Sequence, residues 1–223
     1  MIPGSNIRYI DFHTHKAGSG DDAIAIMNLM AGEEVPSVFP RNTLFSAGIH
    51  PWQLTSDNPD RLKTELLLTA AHPHVVLIGE AGFDRLRGAS SEIQYQSFIY
   101  QAGIAAEMEK PMVIHCVKGW EELRRAYRQM KPARPWVIHG FRGRRQLAAS
   151  LAEEGFWFSL GREGITAEIL GEVSNDRILL ETDMSDEPVA EVYRWFAEVA
   201  GCGDDEAVSI MKRNFNNLFN YSV

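Results

Sequence analysis

The sequence predicts an α/β fold: a shortened (β/α)8 TIM barrel that lacks the helix between its first two strands. Three observations predict it. Short β-rich runs alternate with longer runs of helical periodicity, the signature of βα units around a parallel sheet. Eight such β-rich runs occur along the chain. Metal-grade side chains recur at one place in these units, the C-terminal end of a strand, which is the face where barrel active sites are built.

The strands are expected at Arg8–Phe12, Ala23–Leu29, Leu44–Ile49, Val75–Glu80, Met112–His115, Pro135–His139, Phe156–Ser159 and Arg177–Glu181. Helices are expected at Pro59–Ala71, Ser91–Glu109, Gly119–Met130, Arg144–Glu154, Ala167–Val173, Glu187–Ala200 and Asp204–Leu218. In Ser91–Glu109, Ile93, Phe98, Ile99, Ala102, Ala105 and Ala106 recur at helical spacing, and Pro111 stops the helix ahead of a buried strand. Asp204 stands where an N-cap opens the last helix. The apolar run Ala23–Leu29 suits helix or strand; it is read as a strand because a barrel needs one there and Gly32 follows. Thr14–Asp22 is then too short for a crossover helix. The surface left bare on the first two strands must be shielded by the C-terminal helices or by a partner subunit.

The chain has 223 residues, 45% hydrophobic and 23% charged, enough for one sizeable core and read as a single domain, 1–223. No apolar run reaches the ~18–20 residues of a membrane span. The first residues show no basic segment followed by an apolar one, so no secretory signal is expected. The two cysteines, Cys116 and Cys202, form no Cys-x-x-Cys pattern, which points to a reduced, cytoplasmic protein. The net charge of −8 disfavours a broad, sequence-independent coat on DNA. It leaves room for a local cationic pocket, and bound metals add positive charge that side-chain counting misses.

The chemistry-bearing residues are His13 and His15 after the first strand, Glu80 after Val-Val-Leu-Ile-Gly, His115 after Met-Val-Ile, His139 after Trp-Val-Ile, and Asp183 after Ile-Leu-Leu-Glu-Thr. His13 and His15 are two apart, so on a strand both imidazoles face one side. Four histidines and two carboxylates make a full ligand set for two divalent ions, such as Zn, Mn or Mg, with a carboxylate able to bridge them. His50, in Gly-Ile-His-Pro-Trp, is read as a substrate contact, and Asp84 as an acceptor bracing a ligand. His72 and His74 precede a strand and belong at the far end. Cys116 alternates away from His115 and reads as a buried thiol. Phe156-Trp157-Phe158 reads as core.

Taken in order, Asp-Phe-His-Thr-His, Gly-Ile-His-Pro, Gly-Glu-Ala-Gly-Phe-Asp, Pro-Met-Val-Ile-His, His-Gly-Phe-Arg-Gly and Glu-Thr-Asp resemble the TatD family of metal-dependent deoxyribonucleases. The resemblance implies that His13, His15, Glu80 and Asp183 hold one metal, and Glu80, His115 and His139 the second. The family belongs with amidohydrolase-like barrels. Three departures stand out: Met184-Ser185 where the family has a proline two residues after the final Asp, Cys116-Val117-Lys118 where it has Ser-Arg after the histidine, and the short segment after the first strand.

Together these readings predict hydrolysis by metal-activated water. Asp183 would orient or deprotonate the water, and His50, Lys118 and Arg142 would neutralise a phosphate. The expected substrate is DNA or another phosphodiester, cleaved as by an exonuclease. The alternatives are an amidohydrolase acting on a C–N or C–O bond of a small molecule, and a non-catalytic metal-binding protein.

Overall fold

The computed structural model describes residues 7–16 and 20–219. Eight strands form one sheet in chain order: β1 (Tyr9–Thr14), β2 (Ala23–Met30), β3 (Thr43–Gly48), β4 (Val75–Asp84), β5 (Met112–Val117), β6 (Trp136–Ile138), β7 (Trp157–Leu160) and β8 (Ile178–Leu180). Among the described residues, seven α-helices alternate with the later strands: α1 (Pro59–Ala70), α2 (Ser91–Glu107), α3 (Trp120–Met130), α4 (Arg145–Glu154), α5 (Ala167–Leu170), α6 (Val189–Ala200) and α7 (Asp204–Phe219). The chain divides into two compact units, one of residues 1–27, 39–43 and 137–223, the other of residues 28–38 and 44–136.

In the first unit, β1 meets the chain beyond β8 through a parallel bridge between Thr14 and Asp183. Helices α6 and α7 pack against β1. The Tyr193 hydroxyl, 2% exposed, accepts from the Ile10 N–H and donates to the Ile10 carbonyl, both at 3.1 Å. The C-terminal helices therefore shield the first strand, as expected. On α7 the buried Asn214 amide donates to the carbonyls of Asn175 (2.6 Å) and Ile178 (2.7 Å), tying the helix to the start of β8. Gly155 (φ 103°) and Gly201 (φ 68°) end α4 and α6 in the left-handed conformation that glycine adopts without a Cβ clash. Phe156 and Phe158 are core residues, while Trp157 is half-buried.

In the second unit, Ser90 caps α2 by accepting from the Ile93 N–H at 3.4 Å. Two glutamines on α2 are buried and act as clamps. Gln94 exchanges hydrogen bonds with both backbone groups of Asp84, and Gln101 does the same with Ile49. Beside β5, β4 approaches too closely for any side chain at two positions. A Cβ on Gly79 would lie 2.1 Å from the Val113 carbonyl oxygen, and one on Gly82 would lie 1.8 Å from that of His115.

Most element boundaries fall within two or three residues of expectation. The differences have local causes. β4 runs on to Asp84 and β5 to Val117, because the glycines let the strands continue side by side; Glu80 and His115 thus lie within strands rather than at their ends. α5 stops at Leu170, ahead of Gly171. α6 begins at Val189, since Pro188 occupies its N-cap. No helix occurs among the described residues between β1 and β2, as expected; the chain between β2 and β3 also lacks an α-helix, so a second outer helix is missing. Residues 17–19 of the segment after β1 lie outside the described residues.

The glycine contacts give a matched pair of substitutions. Gly82→Ala forces backbone movement in β4 and should destabilise the chain by about 2–3 kcal/mol. Gly103→Ala, on α2 with nothing within 4 Å of the added Cβ, should be neutral or stabilising by up to about 1 kcal/mol. Thermal melts of the two variants check both; equal melting points would mean that the β4–β5 approach is not a constraint.

Candidate active site

In the first unit, His13 and His15 both turn toward Asp183: their Nε2 atoms lie 3.8 and 3.6 Å from its Oδ1. The His139 ring lies 4.3 Å from that of His13, centroid to centroid. Backbone pairing puts Asp183 there. Its N–H donates to the His13 carbonyl (2.9 Å), and its own carbonyl accepts from the His15 N–H (3.2 Å). Asp183 has φ 53°, a left-handed conformation that Asp tolerates better than most residues.

Two further carboxylates hold this arrangement, and sequence reasoning gave neither a role. Asp11, 1% exposed, accepts from the Thr182 N–H (2.9 Å) and hydroxyl (2.6 Å). Glu181, fully buried, accepts from the Gly140 N–H at 2.6 Å and lies 3.6 Å from His139 Nδ1. Their signal lay inside the motifs: Asp11 is two residues from His13 on a strand, and Glu181 is two from Asp183. Arg142 is exposed and ion-paired with Glu163. Both line a cavity of about 300 Å³ that Thr182, Asp183, Met184 and Arg162 also border.

In the second unit, Glu80 Oε1 lies 2.9 Å from His115 Nδ1 and 3.2 Å from His50 Nε2. The Glu80 N–H donates to Asn28 Oδ1 at 2.8 Å. Asp84 Oδ2 is 3.4 Å from His115 Nε2 and accepts from the Trp52 indole N–H at 2.7 Å. Burial would push the Asp84 carboxyl up, but hydrogen bonds from Trp52, the Leu86 N–H and His115 together bring it below the ordinary carboxylate range. Asp84 thus approaches His115 at the nitrogen that faces away from Glu80, the position from which an acceptor would orient a ligand ring.

His50 is buried, 4% exposed. Its Nδ1 accepts the Trp52 backbone N–H at 3.2 Å. A neutral ring then carries its proton on Nε2 and directs it at Glu80. Lys118 is exposed at the end of β5 with φ 57°. Cys116 is half-buried, and its desolvation raises the thiol above the usual cysteine range, which disfavours the thiolate form. His72 and His74 stack on each other before β4, with ring centroids 5.5 Å apart, and join neither ligand group.

The donor sets fit divalent metals. Two atoms each about 2.1 Å from a shared ion stand about 3.4 Å apart at the tetrahedral angle. The His13, His15 and Asp183 donors show this spacing, too long for hydrogen bonds yet mutually within 4.8 Å. His50, Glu80 and His115 form a second group with donor atoms within 4.8 Å of one another, but here the spacings to Glu80 Oε1, 2.9 and 3.2 Å, are of hydrogen-bond length. A hydrolytic site needs such convergence of imidazoles and carboxylates to hold a Lewis acid against water.

Comparison with known proteins agrees with this chemistry. A family model described as TatD related DNase matches residues 27–220; His13 and His15 lie ahead of the matched stretch. The uncharacterized metal-dependent hydrolase YcfH of Escherichia coli (strain K12) is 29% identical over 201 residues, covering 80% of this chain and 74% of that protein. The 3'-5' ssDNA/RNA exonuclease TatD of Musicola paradisiaca (strain Ech703) is 34% identical over 153 residues, 62% of this chain and 55% of the exonuclease. The chain thus matches little more than half the length of that relative. A TatD family hydrolase of Entamoeba histolytica superposes with a TM-score of 0.78 at 15% identity, covering 97% of this chain and 99% of the other. A TatD homologue of Escherichia coli K12, YJJV, gives 0.74 at 19%, covering 97% and 99%. These likenesses establish the fold: an eight-stranded parallel (β/α) barrel.

Asp11 and Thr182 supply a test of positioning. Thr182→Val removes the hydroxyl donor to Asp11 and should weaken metal binding about 10- to 100-fold, with Thr182→Ser restoring it. A metal titration that finds Thr182→Val unchanged would show that Asp183 is held by its backbone pairing alone.

Proposed function

The chain belongs to the TatD family of metal-dependent hydrolases, and on that premise we propose that it is a phosphodiesterase that cleaves single-stranded nucleic acid in the manner of an exonuclease. The observation that carries this reading is the group His13, His15 and Asp183, with a carboxylate oxygen 3.6–3.8 Å from two imidazole nitrogens. The names of the exonuclease relatives support the substrate class.

We read the two donor groups as holding two divalent ions, one at His13, His15 and Asp183 and one at Glu80 and His115. When bound, such ions lower the pKa of a coordinated water and offset the charge of a phosphate. The chain's own residues supply the rest. Asp183 orients the attacking water and accepts its proton. His50 and Asn28 fix Glu80, one through its side-chain oxygen and one through its N–H. Asp84 holds the His115 ring, and Glu181 sets that of His139. In the first unit the exposed Arg142 meets the phosphate by exchanging Glu163 for it; Lys118 is an exposed cation of the second unit.

Metal analysis of the wild type should give two divalent ions per chain, and Glu80→Gln should give fewer; two ions in Glu80→Gln would remove Glu80 from the ligand set. On a single-stranded oligonucleotide, Asp183→Asn should lower turnover by about 10²–10⁴-fold, the scale for losing a general base. His72→Ala, outside both donor groups, should leave turnover unchanged. Near-normal cleavage by Asp183→Asn would overturn the assignment, and Asp183-dependent hydrolysis of amides but not phosphodiesters would move the reaction class.

A further inference from the structure

In the second unit a large aromatic ring stands beside the Glu80 group without being needed for packing. Trp52 is 50% exposed, yet its position is fixed from two directions. Its indole N–H donates to Asp84 Oδ2 (2.7 Å), and its backbone N–H donates to His50 Nδ1 (3.2 Å). Its ring centroid is 4.8 Å from that of His50 and 5.9 Å from that of His115. Polar anchoring of the indole edge leaves ring surface in solvent within a few ångströms of a metal-ligand histidine.

The guanidinium of Arg87 covers part of this ring, 4.7 Å from its centroid. The loop that carries Arg87 is built to keep it there. Asp84 Oδ1 accepts from the Leu86 and Arg87 N–H groups at 2.7 and 3.2 Å. Gln94 Nε2 donates to the carbonyls of Arg87 (3.1 Å) and Ala89 (2.8 Å). Gly88 presses against the Trp52 turn so closely that a Cβ would lie 2.2 Å from the Pro51 carbonyl oxygen. One buried carboxylate, Asp84, therefore positions the ring, the arginine loop and the His115 ligand together. Leu86, on the same loop, is 64% exposed.

We propose that Trp52 and Arg87 form a base-stacking platform that holds an unpaired nucleobase of the substrate strand beside His50 and His115. This rests on the nuclease reading above and adds the contact that selects the strand. Every nucleobase has a π face, so stacking tolerates any sequence, and a planar guanidinium adds a cation–π contribution. In a duplex those faces are already stacked on neighbouring bases, so the platform discriminates against paired strands. Because the loop is held before substrate arrives, little ordering entropy is lost on binding.

The test crosses a change in the protein with a change in the substrate. Binding of fluorescein-labelled oligothymidylate, and of the abasic strand of the same length, is measured by anisotropy in Ca²⁺ buffer. Wild type should bind the base-bearing strand about 5- to 100-fold more tightly than the abasic one. Trp52→Ala should erase that preference while binding the abasic strand as wild type does. Trp52→Phe should keep most of it, and Arg87→Gln should reduce it without touching the indole anchor on Asp84. An unchanged preference in Trp52→Ala, or an equal loss of affinity for both strands, overturns the platform while leaving the nuclease reading standing. A wild type that neither binds nor cleaves either strand overturns the nuclease reading and the platform with it.

Discussion

Much of the first unit's site depends on one backbone junction, the pairing of β1 with the chain that leaves β8. The Asp183 N–H donates to the His13 carbonyl, and the Asp183 carbonyl accepts from the His15 N–H. The main chain of the carboxylate thus alternates with that of the two histidines, and the three side chains share a side. Strand periodicity alone places His13 and His15 together; the junction adds Asp183 from the other end of the sequence. A side-chain ligand held by its own backbone ladder needs little else to fix its position, which suits a site that must converge within tenths of an ångström.

Charge burial is the second organising constraint. Asp11, Glu80, Asp84 and Glu181 are each at most 4% exposed, and a buried carboxylate is tolerated only when hydrogen-bonded or paired. Each is matched to N–H, hydroxyl or imidazole donors. Asp11 takes Thr182, Glu181 takes Gly140, Asp84 takes Trp52 and two loop amides, and Glu80 lies against two imidazoles. Replacing such groups with well-packed apolar residues commonly improves stability. Their presence here is accounted for by what they orient: a ligand histidine, a ligand carboxylate, or the turn that carries one.

Helix α2 links this electrostatic arrangement to the fold of the second unit. Its apolar face packs Phe98, Ala102 and Ala105, and its two buried glutamines reach past that face to backbone groups at Ile49 and Asp84. Each amide offers a donor and an acceptor to one residue's N–H and C=O, the pairing a neighbouring strand would otherwise supply. The residues before His50 and at the end of β4 are thereby held rigid where regular pairing gives out.

The sequence by itself determined the strand count, the order of βα units, the absence of a helix among the described residues after β1, and which side chains are candidate metal ligands. Those features are local: period-two and helical patterns, Pro111 as a stop, and histidines in or just after the C-terminal halves of strands. Tertiary structure decided what depends on distant partners. Gly79 and Gly82 extend β4 beside β5, which puts Glu80 inside a strand, and no pattern within β4 shows how near β5 comes. The stretch from 31 to 42 carries no outer α-helix, although its length alone would admit a short one. His50 reads as a substrate contact from its place after a strand. Its burial, and the use of both ring nitrogens by Trp52 and Glu80, follow from a turn and a strand that meet only when the unit folds. Asp11 and Glu181 were visible as letters in the motifs, but their work as acceptors needs Thr182 and Gly140 brought to them. Sequence pattern reports which residues share a face along one element; which donor meets which acceptor across elements is fixed only when the strands are assembled.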